Sequence, residues 1–100
     1  MKEITSTEIQ EKLKKSKEFI KSKFHVKEIG LFGSFATGES TVESDIDILV
    51  EFGKGHKDFF NYMRLKYYLQ ELLGKEVDLV MRGAIKPRLR KSIFSQVQYV

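Results

Sequence analysis

One hundred residues, a formal net charge of +4 and no cysteine bound what this chain can be. The length allows one domain with a single modest core, and 41% hydrophobic with 32% charged residues is the balance of a soluble globular protein. Disulfide frameworks and thiolate zinc sites are excluded; with no apolar run near the roughly 18–20 residues a bilayer requires and no apolar core of a secretory signal in MKEITSTEIQEKLKK, a cytoplasmic location without membrane contact is expected.

In chain order, Thr5-Ser6-Thr7-Glu8 fits a capping box, a hydroxyl at the N-cap with Glu three residues on. Ile9, Leu13, Ile20 and Phe24 then recur at helical spacing, which predicts an amphipathic helix over 6–23. A short strand over 26–32 ends at Gly33, and 34–37 begins a brief helical turn. A polar loop over 38–44 leads to a second strand, 45–52, whose Ile46, Ile48, Leu49 and Val50 imply burial on both faces. A second helix is predicted over 58–73, with Phe59, Tyr62, Met63, Leu65, Leu69, Leu72 and Leu73 as its buried stripe and Gly74 at its C-cap. A third strand follows over 76–81, then a last helix with Pro87 in its first turn. The tail, 96–100, either adds a strand or packs on the sheet. The alternation defines an α/β fold, a small mixed β-sheet packed against helices.

The segment GSFATGESTVESDID, residues 33–47, concentrates the chemistry. Asp45 and Asp47 stand two apart at the head of an apolar run, and side chains i and i+2 of a strand share a face, with Cα atoms roughly 6.5–7 Å apart. Two such carboxylates can share one or two divalent cations, and the upstream Gly33-Ser34 turn can offer N–H groups to phosphates. The pattern implies metal-assisted handling of a nucleoside triphosphate. Asp78, between Val77 and Leu79, is a third carboxylate that would be costly to bury alone. It is either a partner of the first two or a residue of a solvated sheet edge, and Glu76 is an alternative on the same face.

Together, Gly33-Ser34 and, about ten residues on, Asp45-x-Asp47 resemble the signature of the nucleotidyltransferase superfamily related to DNA polymerase beta. Over nearly its whole length the chain resembles the minimal nucleotidyltransferases, small single domains often found as the antitoxin partner of a HEPN-domain toxin. The resemblance implies a palm-like sheet, a triad of Asp45, Asp47 and Asp78 that is both catalytic and metal-binding, and nucleotide binding by Gly33 and Ser34. It further implies two magnesium ions and transfer of AMP from ATP, or another nucleoside triphosphate, to a hydroxyl of a partner protein, expected to be a HEPN toxin. One departure stands out: Thr37 occupies the position where many relatives carry arginine, which removes a bidentate donor. Lys54, Arg82 and Lys86 are the basic residues that could lend charge instead.

That departure supports a rival reading, a degenerate fold-mate that neutralises its partner by binding alone. Basic residues gather in 12–23 and 82–91, and read either as solubilising faces or as contacts to a polyanion. A nucleic-acid-binding domain would rest on the second cluster alone and is not favoured. Tyr62, Tyr67 and Tyr68 read as base-stacking or partner-binding residues or as core and rim, and His25 and His56 receive no role.

Overall fold

In the computed structural model, which describes residues 4–100, lysine-spaced apolar residues open the fold as two helices. These are α1 (Ser6–Lys15) and α2 (Lys17–Phe24), burying Ile9, Leu13, Ile20 and Phe24. Thr5 caps α1, its Oγ1 accepting from the Glu8 N–H at 3.1 Å, as the Thr-x-x-Glu spacing predicts. The single helix expected over 6–23 is broken at Ser16, where φ −95° and ψ 2° leave the helical region. No apolar side chain between Leu13 and Phe19 fastens that stretch to the core, and serine gives helix interiors little support. The bend seats both apolar pairs.

Strands β1 (Val26–Phe32), β2 (Ile46–Phe52), β3 (Val77–Met81) and β4 (Gln98–Tyr99) form one mixed sheet in the order β3-β2-β1-β4. The β1 strand is antiparallel to β2 and β4, whereas β2 and β3 run parallel. The tail therefore adds a strand, pairing Gly30 with Tyr99 and Leu31 with Gln98. Gly30 makes this possible, since a Cβ there would stand 2.7 Å from Val97 Cγ1. Both predicted strand starts, 45 and 76, fall one residue before the observed ones.

Strand alternation sorts the sheet into two faces. Ile29, Leu31, Ile46, Ile48, Val50, Val77 and Leu79 pack in one core with α1, α2 and α4 (Phe59–Leu73). On the other face Phe32 and Leu49 are covered by Ile85, with Ile93, Phe94 and Val97 of α5 (Pro87–Gln96) and its exit alongside. β2 is thus covered on both faces along its middle, as expected, while Asp47 near its start is only half-buried.

Asp58 caps α4 by accepting from Asn61 N–H at 2.9 Å, and Gly74 ends it in the left-handed region at φ 68°. The buried stripe is Asn61, Leu65, Leu69 and Leu73, flanked by Tyr62 and Leu72. Phe59 is a correction: it is 65% exposed. It is the first helical residue, and two steps of 100° turn it away from the stripe that Asn61 begins. The buried Asn61 instead donates to Phe24 O at 2.8 Å and His56 O at 2.9 Å, tying α4 to the end of α2 and the loop after β2. Among the described residues no helix is long and apolar enough to cross a membrane.

Candidate active site

The half-buried carboxylate Asp47 is the centre of the site. It faces away from the main core because Ile46 and Ile48 on either side face into it. The parallel register sets Asp78 of β3 directly beside it, on strands about 4.8 Å apart. Asp45, exposed just before β2, approaches from the same end of the strand. Burial pushes the Asp47 carboxyl up to about 6, with repulsion from Asp78, a hydrogen bond with Asp78 and repulsion from Asp45 adding to it. Asp47 is thus the half-buried member of a side-by-side pair whose other member, Asp78, is exposed on β3.

The turn after β1 closes on this pair. Phe32 is in register with Asp47, so Gly33 lies at the strand end against the carboxylate. A Cβ at Gly33 would overlap the Asp47 carboxylate, and its φ of 73° is one that L side chains rarely adopt. Glycine is therefore demanded twice, by conformation and by space. Ser34–Thr37 (α3) begins there, with Gly33 as its N-cap, and Ala36 and Thr37 both donate their N–H to Gly33 O at 3.0 Å. Gln98 of β4 donates to Ala36 O at 3.2 Å and accepts from Gln10 of α1 at 2.6 Å, which fastens the turn from the opposite edge.

The 38–44 loop, which has no core of its own, is held by local bonds. Thr41 N–H donates to Ser44 Oγ at 2.8 Å, and Lys75 Nζ donates to Val42 O at 2.7 Å. Lys75 therefore puts a cation near the acidic end of the sheet, a placement invisible in the sequence because it depends on the loop's path.

Of the sequence-level candidates, Gly33, Asp47 and Asp78 come together, with Asp45 close enough for its charge to act on Asp47. Among the described residues, however, no three His, Cys, Asp or Glu side chains converge as a ready-made cation cage. What is preformed is a pair, with Asp45 outside it. Hard carboxylate oxygens are the donors magnesium prefers, and it is commonly held by one or two carboxylates with substrate phosphates supplying the rest. The donor set fits that ion. Glu76 takes part by its backbone, accepting from Ile46 N–H at 3.0 Å, and its side chain precedes β3.

Of the basic residues that could offset Thr37, Arg82 is already engaged. Its Nη1 lies 3.4 Å from Glu28 and 3.7 Å from Glu51, and its guanidinium stacks 4.9 Å from the Phe94 ring centre. Lys54 follows the far end of β2, on the order of 20 Å along the strand from Asp47. Lys86 is exposed just before α5. Thr37 itself donates to Glu39 Oε1 at 3.0 Å.

A strand–glycine turn–strand unit presenting paired aspartates defines a class of phosphate-handling enzyme. The nucleotidyltransferase domain model matches residues 13–100. The Methanocaldococcus jannaschii protein named "Putative protein adenylyltransferase MJ0128" is 48% identical over 97 residues, covering 96% of this chain and 98% of its own. A solved structure described as a "putative minimal nucleotidyltransferase" superposes with a TM-score of 0.81 at 28% identity, over 95% of each chain. A toxin–antitoxin crystal structure with AMP-PNP matches at a TM-score of 0.66 and 25% identity, over 96% of this chain and 72% of that one. The chain belongs to the nucleotidyltransferase domain family, with the fold of the minimal nucleotidyltransferases, and is a nucleotidyltransferase.

Proposed function

We propose that this protein transfers AMP from ATP to a hydroxyl of a partner protein, a HEPN-domain toxin that the modification silences; the hydroxyl oxygen bonds the α-phosphorus as the α–β bond breaks and pyrophosphate leaves. The observation that carries the reading is Asp47 and Asp78 side by side beneath the Gly33 turn. In it, Asp45, Asp47 and Asp78 hold magnesium, and Gly33 and Ser34 hold the triphosphate through backbone N–H groups and the serine hydroxyl. When bound, magnesium supplies positive charge to the phosphates and to the attacking oxygen. The chain's residues position and neutralise, which is most of what nucleotidyl transfer asks of a protein. The name of the M. jannaschii relative and the AMP-PNP in the toxin–antitoxin structure support an adenine nucleotide and a protein partner.

A second reading, neutralisation by binding alone, is favoured by one observation: the α3 turn carries Thr37, bonded to Glu39, at the position where the family resemblance implies an arginine. The experiment that separates them uses the partner co-purified from the native host, incubated with Mg²⁺ and ATP labelled at the α- or the γ-phosphate. Covalent α-label on the partner, without γ-label, is expected. A tightly held partner that takes up no α-label would establish the second reading.

A further inference from the structure

The β3 strand that carries Asp78 is at the edge of the sheet. Alternate residues of a strand aim their backbone polar groups to opposite sides. Glu76 O receives Ile46 N–H from β2, so Glu76 and Asp78 address β2 while Val77 and Leu79 address the open edge. An unpaired edge leaves such groups to water or to another chain. Here α4 supplies the partners. Tyr62 Oη donates to Leu79 O at 2.6 Å, and Gln70 Oε1 accepts from Val77 N–H at 3.2 Å. The two bonded residues are the immediate neighbours of Asp78, one on each side. Both α4 side chains are half-buried, and Tyr62 packs against the main core.

We propose that Tyr62 and Gln70 are positioning residues that clamp the edge strand and fix Asp78 opposite Asp47. This rests on the reading of those two aspartates as cation ligands. The physical need is specific. Magnesium demands near-ideal octahedral geometry, and edge strands fray more easily than central ones. Asp47 sits on a strand paired on both sides, but among the described residues Asp78 has a sheet neighbour on one side only. A clamp at residues 77 and 79 gives the edge carboxylate the rigidity the central one has from the sheet. Partners that orient metal ligands commonly alter affinity about 10- to 100-fold when removed.

Tyr62→Phe removes the hydroxyl and keeps the ring, and Gln70→Met removes the acceptor at similar length. Three measurements are made on each: amide hydrogen exchange residue by residue, Mn²⁺ binding in the presence of AMP-PNP, and transfer kinetics. Both variants should speed exchange at 77–80 by about tenfold with β1 unchanged. Both should weaken Mn²⁺ binding by about tenfold, and in transfer assays lower kcat more than they raise KM for ATP. Faster exchange at β3 with wild-type Mn²⁺ affinity would show bonds that stabilise the edge without positioning Asp78, and would overturn the proposal. Unchanged exchange would overturn it as well. Failure of the unaltered protein to bind Mn²⁺ with AMP-PNP would instead overturn the cation reading, and this inference with it.

Discussion

The two ends of β2 carry carboxylates on the same sheet face and treat them in opposite ways. At the far end Glu51 lies opposite Glu28 of β1, and Arg82 reaches both while lying over Phe94. At the near end Asp47 lies beside Asp78 with Asp45 close by, and among the described residues no side-chain cation within salt-bridge distance answers them. A fold that needed acidic residues only for solubility would have no reason to crowd them where burial and repulsion push Asp47 up to about 6. The far end shows how this sheet settles like charges when chemistry is not required. In the proposed reading, the near end leaves that charge for a bound cation to settle.

Substitution at the near end should have the largest effect. Asp47→Asn is expected to lower transfer by at least about a hundredfold, measured with α-labelled ATP, while leaving partner binding intact in a pull-down. The same variant should be more stable than wild type at pH 8, by about 1 kcal/mol after allowing for solvent screening of a half-exposed group. Loss of both transfer and partner binding would make Asp47 a structural residue.

Gly33→Ala comes next. The positive φ and the overlap with the Asp47 carboxylate together should cost about 1–3 kcal/mol, read as a lower melting temperature with reduced transfer. A variant as stable and active as wild type would mean that the turn does not approach the carboxylate so closely.

The pH dependence sharpens the contrast between the ends. Asp47 has its folded-state carboxyl raised from 3.8 to about 6, so the unfolded chain gives up that proton first. Its contribution to stability is therefore fully present below about pH 4 and lost as pH rises through about 6. Melting temperatures of wild type and Asp47→Asn should converge below about pH 4, separate between about pH 4 and 6, and stay apart above that, with Asn the more stable. Millimolar Mg²⁺ should narrow that gap by favouring the ionised form.

At the far end the effect should be smallest. Arg82→Gln removes two partly exposed ion pairs and is expected to cost about 0.5 kcal/mol, less at high salt, with transfer unchanged. A large loss of activity there would erase the distinction between the two ends.

Much of this was legible in the sequence because the signals are local. The Gly33-Ser34 turn and the Asp45-x-Asp47 repeat sit at fixed spacing, and strand periodicity alone puts Asp47 opposite the core. Asp78 needed a register between strands thirty residues apart, which the resemblance implied and the parallel pairing of β2 with β3 supplies. What periodicity could not show is tertiary. Phe59 falls off the stripe because the buried polar Asn61, not an apolar residue, begins it, and the break at Ser16 depends on how two apolar pairs meet one core. Arg82 looked available in the sequence and is engaged by Glu28 and Glu51, residues distant in the chain. Tyr62 read as core or stacking surface, and its hydroxyl bonds a strand whose position no local pattern specifies.

The most direct test of the central claim compares the two ends in one assay. Asp47→Asn, Asp78→Asn and Glu51→Gln are each incubated with the co-purified partner, Mg²⁺ and α-labelled ATP, and covalent label on the partner is counted. Label on the partner is expected for wild type and Glu51→Gln, and none above background for the two aspartate variants. Equal labelling by all four proteins, or loss in Glu51→Gln alone, would contradict the claim.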